Sequence, residues 1–126
     1  YPAKVKSFDW VGNTPYLVTS GANQAICWPF DGKDGPKGRK PICVADGGKQ
    51  YSTFIKSLPD EEAIFTGFRD GTVLLSEIDE NKNANIIRNP TGAEVTTIAL
   101  TSDRSHILIG DSKGSILWST LWAGRE

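Results

Sequence analysis

Three features of the sequence predict an all-β fold. Helical periodicity never persists; every apolar stretch is short, rich in β-branched or aromatic residues, and bounded by turn residues. The 126 residues include 13 glycines and 7 prolines, above the average usage of about 12% for the two together, and such punctuation breaks long helices. The strands then follow in order. Residues 5–10 alternate as V-K-S-F-D-W until Asn13-Thr14-Pro15 breaks the run, residues 16–19 form a second strand, and residues 25–30 a third after the turn Gly21-Ala22-Asn23. Residues 31–40 hold three glycines, one proline and four basic residues and read as a loop before a fourth strand at 41–45. After Asp46-Gly47-Gly48 the pattern restarts, with strands at 53–58, 63–67, 72–78 and 85–88. Arg69-Asp70-Gly71 separates two of these, and Asp-Gly predicts a primed hairpin turn there. A third round places strands at 95–100, 106–110 and 115–121, for eleven in all, grouped four, four and three.

The grouping is an internal repeat. Residues 5–28 lie over residues 95–118 at a constant offset of 90 without a gap, so that Val5 meets Val95, Ile26 meets Ile116 and Trp28 meets Trp118. Phe8 meets Ile98, Trp10 meets Leu100, and Leu17-Val18 meet Ile107-Leu108. Gln24, Gly71 and Gly114 are equivalent, at spacings of 47 and 43. A period of about 40–45 residues with four strands per unit is the pattern of propeller blades. The chain therefore reads as one partial β-propeller domain over residues 1–126, with blades at about 5–45, 51–88 and 95–121.

The motifs carry a family resemblance over nearly the whole chain. F-R-D-G-T-V-L-L-S (residues 68–76) resembles the G-x-x-D-G-T-I-x-L-W hairpin of WD40-repeat β-propellers, and L-P-D-E-E-A-I-F-T-G (residues 58–67) resembles their S-P-D-G-x-x-L-A-S-G passage. S-G-A-N-Q-A-I-C-W-P-F (residues 20–30) is similar to the same hairpin in the first repeat, and W-P-F-D-G-K-D-G-P with its surroundings resembles the carboxy-terminal repeats of a bacterial WD40-repeat protein. The family's Trp position falls on Pro29, Ser76 and Ser119, with Trp28 and Trp118 one residue earlier, and no Gly-His dipeptide precedes the first strands. Of the family's Asp, His, Ser/Thr and Trp hydrogen-bond network, only Asp70 matches by position.

The resemblance implies a ring, usually of about seven blades within a range of about 4–8, which three repeats cannot close. Family members complete the last blade with a strand from the start of the chain, and the third repeat lacks that strand. With a start at Tyr1 and no methionine, the expectation is the carboxy-terminal part of a longer chain whose remaining blades are its natural partner. An isolated open ring exposes apolar blade faces and a strand edge, which recruit other chains, so self-association, most simply as a dimer, is expected.

Charge and motif chemistry exclude much else. The 14 Lys and Arg nearly balance 15 Asp and Glu for a net charge of -1, which argues against nucleic acid as the partner. No apolar run approaches the roughly 18 residues of a membrane span, and no signal stretch opens the chain. The single histidine, His106, stands at the start of a strand, and the sequence names no Ser-His-Asp or Cys-His set around it. Cys27 and Cys43 fall on neighbouring antiparallel strands, where either free thiols or a disulfide would fit. Asp31-Gly32-Lys33-Asp34-Gly35 fails as a calcium loop because Lys33 stands at a ligand position and the distal Glu is missing. Gly47-Gly48-Lys49 fails as a phosphate loop because Gln50 replaces Ser/Thr and no helix follows. The expectation is no catalytic residue, no cofactor and no metal.

What remains is loop surface. In a propeller, the loops from second to third strand and from fourth to next first strand share one rim, which the resemblance implies is the commonest partner face. Here that rim carries Asn23, Gln24, Lys49, Gln50, Tyr51, Arg69, Asp70, Glu94 and Lys113. Exposed Tyr and Arg are favoured interface anchors. Alternation predicts a core of Phe8, Trp10, Leu17, Ile26 and Trp28 packed with Ile55, Ile64, Val73 and Leu75, continued by Ile98, Leu100, Ile107, Ile116 and Trp118. The function expected is a cytoplasmic, non-catalytic protein-interaction scaffold. The alternative is a ligand-binding or enzymatic propeller with its site in the central channel, whose first strands offer mainly Ser7, Thr53 and Thr97.

Overall fold

The computed structural model describes residues 5–11, 14–58, 62–78, 84–102 and 105–120. Among these there are eleven strands and no helix. They are β1 (Phe8–Trp10), β2 (Tyr16–Thr19), β3 (Ala25–Pro29), β4 (Ile42–Val44), β5 (Ser52–Ser57), β6 (Ala63–Phe68), β7 (Val73–Glu77), β8 (Ala84–Arg88), β9 (Val95–Leu100), β10 (His106–Asp111) and β11 (Ile116–Thr120). They form three antiparallel meanders, β1-β2-β3-β4, β5-β6-β7-β8 and β9-β10-β11. The expected 4, 4, 3 grouping is therefore the observed one. The first strand is shorter than its alternation predicts, for a local reason: Lys6 and Ser7 donate their N–H groups to Ser20 Oγ, both at 3.1 Å, instead of to a ladder.

The first strands β1, β5 and β9 lie side by side, so the sheets stack as blades around an axis. Polar side chains tie these inner strands together. Ser7 Oγ accepts from Ile55 N at 3.0 Å, Asp9 Oδ2 accepts from both Ser57 N and Ser57 Oγ, and Thr53 Oγ1 donates to the Val95 carbonyl at 2.6 Å.

The hydrophobic cores lie between sheets. The first joins Val11, Val18, Ala25, Cys27 and Val44 of the first blade to Ile55, Ile64, Phe68 and Leu74 of the second. The other joins Leu58, Ala63, Phe65 and Val73 of the second to Val95, Ile98, Ile107 and Ile109 of the third. Strand β6 serves both: Ile64 and Phe68 face one core and Phe65 the other, and all six of its residues are buried. Gly67 permits the closeness of the second contact, because a Cβ there would lie 2.4 Å from Val95 Cγ1.

This arrangement corrects the expected core. Phe8 (67% exposed), Trp10 (51%), Ile116 (73%) and Trp118 (64%) lie outside it. Ile55, Ile64, Val73, Ile98 and Ile107 are buried as expected, while Leu17, Ile26, Trp28, Leu75 and Leu100 are half-buried. The physical reason is that a blade is apolar on both faces. Alternation sorts residues onto two faces but does not say which face a neighbour covers, and the outer faces of the first and third blades have no neighbouring sheet among the described residues.

The repeat registration also needs one correction. Phe8↔Thr19 and Trp10↔Leu17 match Ile98↔Ile109 and Leu100↔Ile107 at the constant offset. The third strands then slip by one residue: Thr19 pairs with Ile26, whereas Ile109 pairs with Leu117 and Thr66 with Leu74. The hairpin of the first blade is one residue shorter. Trp28 therefore occupies the place of Ser76 and Ser119, and Trp118 pairs with Leu108 on the outer face. The turns explain the difference. Gly71 and Gly114 have φ of 97° and 83°, each ending a three-residue turn, while Asp70 keeps negative φ, so the predicted primed turn is instead a type I turn closed by a left-handed glycine. In the first blade the positive φ sits at Gly21.

The slip exposes a broken pair in the second blade. Trp28 Nε1 donates to Thr19 Oγ1 at 3.2 Å. The equivalent side chains in the second blade are Thr66 and Ser76, whose hydroxyls are buried without a hydrogen-bond partner. A buried hydroxyl left unpaired costs about 1–3 kcal/mol. Thr66→Val is expected to raise stability by about 1 kcal/mol, while Thr19→Val, which removes the hydroxyl that accepts from the Trp28 indole, is expected to lower it. Urea denaturation measures both, and a loss of stability in Thr66→Val would show that the hydroxyl is satisfied.

Candidate partner-binding rim

Five loops, at residues 20–24, 45–51, 69–72, 89–94 and 111–115, lie along one rim and are joined by backbone hydrogen bonds in sequence. Gly21 N donates to the Ser52 carbonyl at 3.0 Å, and Ser52 N to that of Ala22 at 2.7 Å. Gly47 N donates to the Asn23 carbonyl, Arg69 N to that of Tyr51, Thr91 N and Gly92 N to that of Asp70, and Ser112 N to that of Glu94. Side chains add to this lacing. Ser52 Oγ accepts from Gly21 N and donates to the Ala22 carbonyl, and Asn23 Nδ2 donates to the Gly48 carbonyl. The turn at Gly71 cannot take a larger residue, since a Cβ there would lie 2.2 Å from Thr91 Oγ1.

All nine residues picked out from the sequence lie on these loops. Asn23, Lys49, Arg69 and Lys113 are exposed, and Gln24, Gln50, Tyr51, Asp70 and Glu94 are half-buried. Tyr51 and Arg69 come together, with the guanidinium 4.9 Å from the ring centroid. Asp70 is partly used by its own turn, its Oδ1 accepting from Thr72 N at 3.0 Å. Glu94 pairs at 2.8 Å with Lys6, which reaches it from the first blade.

Sequence reasoning missed three groups that hold the rim. Lys6 and Ser20 need a knowledge of which strands become neighbours. Asp111 has a local signal, a carboxylate three residues before the turn glycine Gly114, but its partner does not. Asp111 Oδ1 accepts from Lys113 N and Ser115 N, and its Oδ2 pairs with Arg88 at 3.2 Å in a pair that is 11% and 4% exposed. Burial alone would raise the Asp111 pKa. The Ser115 and Lys113 amides and the Arg88 guanidinium outweigh it and hold the carboxyl below its ordinary value.

The other candidates sit apart from the rim. Cys27 and Cys43 are free; Cys27 pairs with Ile42 and Cys43 with Ile26, so the thiols point to opposite faces of one sheet. Burial, with Cys43 a smaller cause, pushes the Cys27 thiol up to about 12. His106 lies on the outer face of the third blade, its Nδ1 2.8 Å from Ser105 Oγ and its ring 5.3 Å from that of Trp118. In the basic loop, Arg39 is tied to Asp31, and that hydrogen bond lowers the Asp31 pKa. Among the described residues, no three His, Cys, Asp or Glu side chains come together as a metal site, and no helix is long and apolar enough to cross a membrane.

No protein-family model matches the chain, and no curated protein matches it. Solved structures do. A chain in the crystal structure of the mitotic checkpoint complex superposes with a TM-score of 0.71 at 17% identity, over 92% of this chain and 34% of that one. The computationally designed Ika4 protein superposes with a TM-score of 0.49 at 12% identity, over 96% of this chain and 93% of that one. The first likeness supports a β-propeller-like fold, and this chain spans about a third of the length of the chain it matches there.

The Asp111 pair makes rim stability depend on acid. The folded carboxyl titrates below the unfolded one, so its contribution is complete above the unfolded value of about 3.9 and is lost as pH falls through the folded value. Denaturation of the native chain and of Asp111→Asn across pH 2–6 is expected to show a stability gap that is constant at the upper end and closes below about pH 4. A gap independent of pH would mean that the carboxylate's charge contributes nothing.

Proposed function

We propose that this chain is a non-catalytic protein-interaction scaffold of WD40-type repeats, part of a larger propeller, whose partner binds the rim. The observation that carries this reading is the lacing of the five loops, which holds Asn23, Lys49, Arg69 and Lys113 outward on a single fixed surface. A surface already ordered loses less entropy on binding. The inner strands point the same way: Ser7, Asp9 and Thr53 spend their polar atoms on bonds between blades rather than on a channel site. The bacterial and cytoplasmic setting rests on the sequence resemblance alone.

The outer blade faces support self-association of the isolated chain. One carries Phe8, Trp10 and Phe30, with the Trp10 and Phe30 rings edge to face at 5.5 Å. The opposite one carries Leu108, Ile116 and Trp118. Each is the kind of face that packs against another blade inside the chain, so copies pair through them. Light scattering over a concentration series is expected to give a dimer mass that falls to a monomer in Trp118→Ser. A wild-type monomer at every concentration overturns the pairing.

The rim is tested separately. Affinity capture from the source cell with the native chain, with Trp118→Ser and with a Tyr51→Ala, Arg69→Glu, Lys113→Glu variant is expected to lose its partner only in the last. Aromatic and Arg anchors are each worth about 2 kcal/mol or more at an interface, so the loss should exceed tenfold. Equal capture by all three sinks the assignment of the rim.

A further inference from the structure

Behind the rim, between the first and second blades, lies a cavity of about 250 Å³. Its apolar wall is Phe68, Leu74, Ile86 and Pro90, and Asp46, Asp70, Thr72 and Asn89 supply its polar lining. No basic residue is among the described residues that line it. The two nearby arginines are engaged elsewhere: Arg69 lies over the Tyr51 ring, and Arg88 points toward the third blade, where it pairs with Asp111. Each lining carboxylate is fixed through Oδ1, in Asp46 by Gly48 N at 2.8 Å and in Asp70 by Thr72 N at 3.0 Å. Among the described residues neither Oδ2 takes a hydrogen bond. Ile86 is 64% exposed, an apolar surface that nothing among the described residues covers.

A cation entering this cavity meets acidic residues from two blades, Asp46 of the first and Asp70 of the second. The apolar wall asks for a side chain with an aliphatic stem, which long basic residues bury while their charged head meets polar groups. Arginine suits two separate acceptors better than lysine, because its planar fork presents five donors in fixed directions. We infer that this cavity receives the side chain of an arginine presented by the partner protein, with the stem against Leu74 and Ile86 and the guanidinium between Asp46 and Asp70. The inference rests on the reading of the rim as a partner face and names the chemistry of that partner.

The test needs no knowledge of the partner. The peptide Ac-Ala-Arg-Ala-NH2 is titrated into the isotope-labelled chain and followed by amide NMR. Saturable shifts are expected at Asp46, Phe68, Asp70, Leu74 and Ile86, weakening with added salt. The citrulline peptide, with the same shape and no charge, is expected to bind at least about tenfold more weakly, as charge-assisted bonds exceed neutral ones. Lysine should fall between them. Asp46→Asn and Asp70→Asn keep the Oδ1 bonds to their turns and are expected to erase the preference for arginine over citrulline, with dispersed amide spectra confirming that both stay folded. Equal binding of the citrulline peptide, or shifts scattered over other acidic surface, overturns the inference. If the peptide fails while rim variants still lose the captured partner, the scaffold stands and the arginine site falls. If the peptide binds while capture ignores the rim, the site stands and the partner-face reading falls.

Discussion

Every blade here is apolar on both faces, and that single constraint organises the molecule. A sheet of this kind cannot bury itself and must be covered by a sheet on each side. The second blade shows the condition met, with β6 buried along its whole length between Ile64 and Phe68 on one side and Phe65 on the other. The first and third blades show it half met, which is why Trp10 and Trp118 stand in solvent although their composition is that of a core. The close approach of β6 to β9 at Gly67 and the short bond from Thr53 Oγ1 to the Val95 carbonyl are consequences of stacking sheets tightly enough to exclude water.

The same stacking builds the rim. Once the inner strands are held in register by Ser7, Asp9 and Thr53, the turns at their ends are carried to one level and close enough to bond. Rim geometry is therefore inherited from the blade contacts rather than set by each loop. Asp111 is the clearest link. It shapes the turn that presents Lys113 and, through Arg88, clamps that turn to the preceding blade. A change that loosens the blades should disturb the rim even where no rim residue is touched.

How much of this was legible in the sequence depends on the range of the interaction. Strand number and grouping were legible because Gly, Pro and Asp-containing turns mark each end locally. The level of Asn23, Tyr51, Arg69 and Lys113 on one rim followed from topology once the repeat was seen. Facing was not legible, because Phe8 and Val18 are equally apolar and only the position of a neighbouring sheet tells them apart. The identity of Trp28 and Trp118 misled the registration, since a hairpin shorter by one residue moves a side chain to the opposite face. Lys6 with Glu94 and Arg88 with Asp111 join residues 88 and 23 apart, and no local pattern announces such pairs. The free thiols show the reverse case. Neighbouring strands made a disulfide conceivable, and the one-residue stagger between Cys27 and Cys43 rules it out by placing them on opposite faces.

The molecule thus offers two kinds of surface that work at right angles. Blade faces look along the ring and are apolar and broad, suited to contacts between blades that stay together. The rim looks along the axis and is polar, charged and laced. Because Leu108, Ile116 and Trp118 project from the sheet face and the rim residues from its end, covering one leaves the other open. The cavity with Asp46 and Asp70 sits where the two surfaces meet, between adjacent blades and just below the rim. Its apolar wall belongs to the blade contact and its carboxylates to the loops. A side chain that carries both characters, a long stem and a cationic head, is what such a junction selects.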